Sequence, residues 1–139
     1  MAEYLFASAA TTSTASELPL FKEYAWDFEK DCFIYDKDGN HILLEGNEAI
    51  KVWCYKALKT ERFMYLAYTH GFGIELYPFM AKVMGIMQRK SELKRIVTEA
   101  LMVNPYIVSV DSISFDENNR NEEMDIRIAM TTVYGELVI

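Results

Sequence analysis

Residues 90–115 read KSELKRIVTEALMVNPYIVSVDSISF, and the order within them is helix, stop, strand. Leu93, Ile96, Val97, Ala100 and Leu101 recur at helical spacing and form one apolar stripe. Ser91 stands where an N-cap belongs, and Glu92 puts negative charge into the first turn, where the helix dipole favours it. Pro105 biases Asn104 away from helical angles, so the helix is expected to end near Val103. The stripe predicts a core-facing helix, with Ile96 among the positions that would not tolerate a charge. The run contains no nucleophile, metal cluster or phosphate loop.

Downstream, Ile107–Phe115 and Met124–Val133 read as a long antiparallel pair around the polar loop Asp116–Glu123. Met124, Ile126, Ile128 and Met130 alternate strictly, whereas the apolar phase of the first strand slips between Val110 and Ile113, which predicts a bulge. After Tyr134-Gly135 the apolar run Leu137-Val138-Ile139 must find a sheet, in its own subunit or in another.

Upstream, Ile74 to Met84 reads as a second helix, with Pro78 tolerable in its first turn. Gly71 and Gly73 break the chain before it, and Phe63–Tyr68 reads as extended. Ile50, Trp53, Cys54, Ala57 and Leu58 fit an amphipathic helix that Asn47 would cap. Tyr24, Trp26 and Phe28 alternate with polar neighbours and predict a strand with its aromatics inside. Cys32–Tyr35 and His41–Leu44 flank Asp36-Lys37-Asp38-Gly39-Asn40, a hairpin turn. Residues 1 to about 20 are rich in Ala, Ser and Thr and predict a flexible arm, with Tyr4, Leu5 and Phe6 as an apolar exception. Strands, then helices, then strands give an α+β class: an N-terminal hairpin, three helices, and a C-terminal antiparallel hairpin with a short terminal strand.

The chain has 139 residues, about one domain's length, and 51% of them are hydrophobic. Its net charge of −7 argues against a nucleic-acid binder, which would show a basic face. Cys32 and Cys54 have the spacing of neither a zinc site nor a disulfide framework, and both are expected reduced and buried. His41 and His70 are too separated to suggest a metal site, and no cofactor motif occurs. No apolar run reaches membrane-spanning length, and the N-terminus lacks the pattern of a signal peptide, so synthesis in the cytoplasm is expected. Among the carboxylates, Glu61, Glu75 and Glu99 lie near apolar residues, but a glycosidase needs two carboxyls across a cleft. Glu61-Arg62 reads either as a solvated pair or as a packed structural one.

Five phrases in order carry a resemblance: KEYAWDFE (22–29), EGNEAIKVWCYKALKTERFMY (45–65), the Tyr68–Gly73 turn, KSELKRIVTEALMVNPYI (90–107) and TTVYGELVI (131–139). Together they resemble the small wedge subunit of contractile-tail baseplates. That family takes in phage wedge proteins once labelled lysozyme-like, with counterparts in type VI secretion systems and R-type bacteriocins; the prophage-type variant is the nearest likeness. The broader family carries Glu-Pro-Arg after its long helix, where this chain has Asn104, Pro105 and Tyr106.

The resemblance implies a structural, non-enzymatic wedge domain over residues 21–139. It implies contacts with other wedge proteins, with the tail sheath protein and with hub or tube proteins, in six copies around the tail axis. No nucleic acid, membrane, metal or cofactor is implied. The place would be the baseplate of a virion or tail-like particle assembled in the bacterial cytoplasm. Partner-binding residues are expected at Glu61, Arg62, Asn104, Pro105, Tyr106, Tyr134, Gly135, Leu137 and Ile139, and the C-terminal sheet is expected to offer an edge to the first sheath ring by strand addition. The competing expectations are a carbohydrate-cleaving, lysozyme-like enzyme and an unrelated binding module.

Overall fold

The computed structural model of the chain describes residues 18–118 and 123–139. Most of the expected arm, with Tyr4, Leu5 and Phe6, and the loop tip 119–122 lie outside the described residues. The element order is β1 (Lys22–Tyr24), β2 (Trp26–Asp27), β3 (Cys32–Phe33), β4 (Leu43–Glu45), α1 (Asn47–Lys59), α2 (Tyr77–Met80), α3 (Ile86–Met102), β5 (Ile107–Asn118), β6 (Glu123–Thr132) and β7 (Gly135–Val138). The class is α+β, as the order of sequence patterns predicts. β1 pairs with β4 and β2 with β3, while β5, β6 and β7 form an antiparallel three-stranded sheet in that order.

The apolar stripe of α3 is core: Ile96, Val97, Ala100 and Leu101 are buried and Leu93 is half-buried. They meet Ile50 and Cys54 of α1 and Ile113, Ile128 and Met130 of the sheet in one cluster. The bulge falls where the apolar phase slips, with a register shift between Val110 and Ser112 and a second between Ile107 and Ser109. Asp111 sits in the bulge and accepts the Ser109 and Thr131 hydroxyls, both at 2.7 Å. These bonds, Ser109 first, hold its carboxyl below the usual carboxylate range. The Asp36–Asn40 turn also forms, with Asp36 Oδ1 accepting the Asp38 and Asn40 N–H groups and Tyr35 bridging His41.

Several expectations are corrected. The strand expected through Tyr24, Trp26 and Phe28 is split at Ala25, which is buried while Tyr24 is exposed. Ala25 changes partner there: its N–H bonds to Ile42 and its carbonyl to the Ile34 N–H. The aromatics instead pair edge-on at the surface, Trp26 on Phe33 at 4.8 Å and Phe28 on Tyr55 at 4.6 Å. The expected helix Ile74–Met84 shrinks to one turn around Pro78, and α3 begins after Gly85, a turn and a half before Ser91. Gly46, not Asn47, is the N-cap of α1. The segment Phe63–Tyr68 is a series of turns rather than a strand. Cys32 is exposed; Cys54 is buried, and burial pushes its thiol up to about 12, which keeps it protonated and unreactive at neutral pH.

Candidate partner-binding surfaces

The expected site residues separate into three places. The first is the exit of α3. Asn104 is buried, and its Oδ1 accepts the Tyr106 N–H at 3.0 Å, closing the turn that Pro105 starts. Tyr106 lies edge-on to Phe21 at 4.7 Å and roughly parallel to Tyr134 at 6.3 Å, and its hydroxyl donates to the Pro19 carbonyl at 2.7 Å. The Tyr134 hydroxyl accepts the Phe21 N–H at 2.9 Å. The structure therefore joins Tyr106 to Tyr134 through Phe21, while the Gly135 carbonyl accepts the Thr132 hydroxyl, and Val103 and Pro105 are exposed there. A pocket of about 290 Å³ opens beside them, between Trp53, Phe72 and Tyr106.

Glu61 and Arg62 occupy a second place, and of the two readings the packed one holds. The Glu61 carboxylate accepts the N–H groups of Leu76 and Tyr77, both at 3.1 Å, at the start of α2. Arg62 turns the other way, donates to the Gly73 carbonyl at 3.3 and 3.2 Å, and reaches Glu75 at 3.5 Å and Glu99 at 3.4 Å. Arg95 extends this cluster to Glu92 and Glu99, and its hydrogen bond holds the Glu92 carboxyl below its ordinary range. Glu61, Glu75 and Glu99 are thus each engaged by a backbone donor or an arginine.

Gly73 lets Arg62 close on it. Its φ is +104°, and a Cβ there would lie 2.6 Å from the Thr60 carbonyl oxygen. Gly73→Ala is expected to cost about 2–4 kcal/mol, a melting temperature lower by roughly 10 °C. Gly39 also has positive φ, at +81°, but stands in open space, so Gly39→Ala is expected to cost about 1 kcal/mol. Equal thermal shifts for the two variants would contradict the crowding at Gly73.

The third place is the sheet edge. β7 pairs with β6 of the same chain, and half-buried Leu137 and Ile139 pack against the core. Ile139 exchanges both backbone bonds with Ile128, at 2.8 and 3.0 Å. By strand alternation Glu136 and Val138 turn their peptide groups outward. The Glu136 carbonyl is covered, because Asn47 Nδ2 donates to it at 3.2 Å while the Thr132 hydroxyl donates to Asn47 Oδ1. The same alternation points the Ile126 N–H and C=O away from β5, on the edge that β7 covers from Ile128 to Thr132. Alongside runs a groove of about 410 Å³, lined among others by Phe28, Tyr55, Leu58, Leu76, Ile126 and Ile139. The sequence reading missed this groove, since its walls come from six separate segments. The strict alternation through Ile126 and Ile128 was its one sequence signal.

No helix among the described residues is long and apolar enough to cross a membrane. Residues 22–135 match the family described as contractile injection system sheath initiator. The chain is also similar to the phage-like element PBSX protein XkdS of Bacillus subtilis (strain 168), at 31% identity over 98 residues, which span 70% of this chain and 68% of that protein. The match begins at β1 and runs to the first residue of β7, so it takes in the hairpin layer, the helices and the paired strands alike. From these matches the chain belongs to the sheath initiators of contractile injection systems, subunits of the contractile-tail baseplate type.

Proposed function

We propose that this chain sits on the baseplate as a non-catalytic wedge subunit and starts the sheath by accepting a strand at the open edge of β6. A structural role in the contractile-tail sheath comes with the family; the edge is our reading of how that role is carried out. The observation behind it is the outward-turned backbone of Ile126, next along the edge from the Ile128–Ile139 pair and beside the apolar groove. An incoming strand collinear with β7 would gain main-chain bonds from Ile126 and bury alternate side chains in the groove. Leu137 and Ile139 would then act as the inner wall of the site rather than as the exchanged strand.

Ile126→Pro tests this. It removes an outward N–H and leaves the bonds to β5 intact, one of the settings in which a strand tolerates proline. The expected result is a folded subunit that enters baseplates on which sheath does not polymerise, seen by electron microscopy. Ile126→Lys, a charged edge, is expected to do the same without backbone strain. Normal sheaths from both variants would sink the proposal.

The exit of α3, where Val103 and Pro105 are exposed next to Tyr106 and Tyr134, is our candidate contact with other wedge, hub or tube proteins, six copies ringing the tail axis of a virion or tail-like particle. Tyr106 and Asn104 shape this surface from within. Glu61 and Arg62 act at a distance, by holding the segment 60–80 on α3. Val103→Asp is expected to leave the melting temperature within about 2 °C of the parent, since surface changes fall within ±0.5 kcal/mol, and to reduce incorporation into baseplates at least tenfold. Unchanged incorporation would remove this surface from the assembly contacts.

A further inference from the structure

The segment Leu76–Ser91 holds three of the chain's 14 basic residues and none of its 21 acidic ones. It is also where large apolar side chains face outward in close succession: Met80 at 67% exposure, Val83 at 103%, Ile86 at 72% and Met87 at 82%. Single exposed apolar residues are ordinary; four within eight positions form a patch. The frame beneath them is fixed. Phe79 is buried, Met84 packs against the core, and Lys82 N–H bonds to the Phe79 carbonyl at 3.2 Å. Arg89 stacks over the Phe79 ring at 5.5 Å and donates to the Lys82 carbonyl at 3.5 Å. The basic residues of the segment are Lys82, Arg89 and Lys90, and Lys82 lines a small pocket together with Arg62, Glu75, Glu92, Arg95 and Glu99.

From this we infer that the surface formed by Met80, Val83, Ile86 and Met87, flanked by Lys82 and Arg89, docks an acidic amphipathic helix of another tail protein. The patch spans the end of α2, the irregular segment 81–85 and the first turn of α3, with no strand among them, so recognition rests on side chains. A helix bearing apolar residues at i, i+3, i+4 and i+7 suits such a surface, and the unbranched Met80 and Met87 adapt to its ridges. Lys82 and Arg89 select acidic flanks on that helix. A two-fold contact with a second copy would set these basic groups against their own equivalents, and an anionic lipid surface would meet a chain of net charge −7. The surface is separate from the α3 exit: α3 has 17 residues, which at 1.5 Å each puts Val103 about 25 Å away. It is also independent of the strand edge at Ile126.

The test places a photoreactive benzoylphenylalanine at Val83 or Met87 in assembled tail particles, with incorporation confirmed by immunoblot and sheath assembly scored separately. The crosslinked segment is mapped by mass spectrometry. The expected partner segment is net acidic with apolar residues at helical spacing. A synthetic peptide of that segment is expected to bind the purified chain, and at least tenfold more weakly to Val83→Asp and to the double variant Lys82→Glu, Arg89→Glu, each with the circular dichroism of the parent. Crosslinks to another copy of the chain, to lipid, or to a segment without acidic helical character would overturn the inference. So would particles that contain the chain but give no crosslink, or peptide binding that both variants leave unchanged.

Discussion

Leu101→Asp is expected to leave the chain mostly unfolded at 25 °C. Leu101 is 0% exposed and is enclosed by the cluster that joins α1, α3 and the sheet. The substitution removes a buried leucine, which costs about 2–5 kcal/mol by itself. It also leaves a carboxyl without a hydrogen-bond partner, adding roughly 1–3 kcal/mol even in its neutral form. The sum, about 3–8 kcal/mol, overlaps the lower part of the total stability of an ordinary domain, about 5–15 kcal/mol. Ile96→Asp is expected to be milder. Ile96 borders a small pocket shared with Arg62 and Arg95, and a carboxylate there has cations within reach. Far-UV circular dichroism and denaturant melts of the two variants compare these positions. A Leu101→Asp protein that melts with the parent, or above Ile96→Asp, would mean that α3 faces the core through a different stripe.

Deleting residues 136–139 is expected to destabilise the subunit itself, by roughly 4 kcal/mol or about 15 °C in melting temperature. Leu137 and Ile139 are half-buried against the core, and β7 covers the edge of β6 from Ala129 to Thr132. The deletion also exposes the edge beside Ile128 and Met130, which are almost fully buried in the intact chain. From the sequence alone, an exchangeable terminal strand would have left the monomer folded; pairing within the same sheet reverses that expectation. A truncated protein with the parent's melting curve would show that β7 adds nothing to the fold. The point variants at Ile126, and not the truncation, are therefore the means of testing strand addition.

What could be read from residue order alone were the features encoded by short-range periodicity. The stripe Leu93–Leu101 is one face of a helix whatever it packs against, and Pro105 stops that helix on steric grounds. The alternation of Ile126, Ile128 and Met130, the slipped phase at Val110–Ile113 and the Asp36–Asn40 turn are local in the same sense. The turn around Asn104 was legible as a stop, although its burial was not.

The tertiary structure decided what depends on partners distant in sequence. Gly46 starts α1 because Asn47 is drawn to Thr132 and Glu136, 85 and 89 residues away. Glu61 holds the start of α2 from 15 and 16 residues upstream, and Arg62 meets Glu99 across 37. Alternation placed Tyr24 and Phe28 inside and Cys32 was expected buried, yet all three are exposed, because the two N-terminal ladders have only two or three residues each. The groove beside Ile126 exists only once β6, β7, α1, α3 and the segments carrying Phe28 and Ile74 are assembled. Chain periodicity specifies which face of an element is apolar; which neighbour covers that face, and which part stays uncovered for a partner, is settled by packing between segments far apart in the chain.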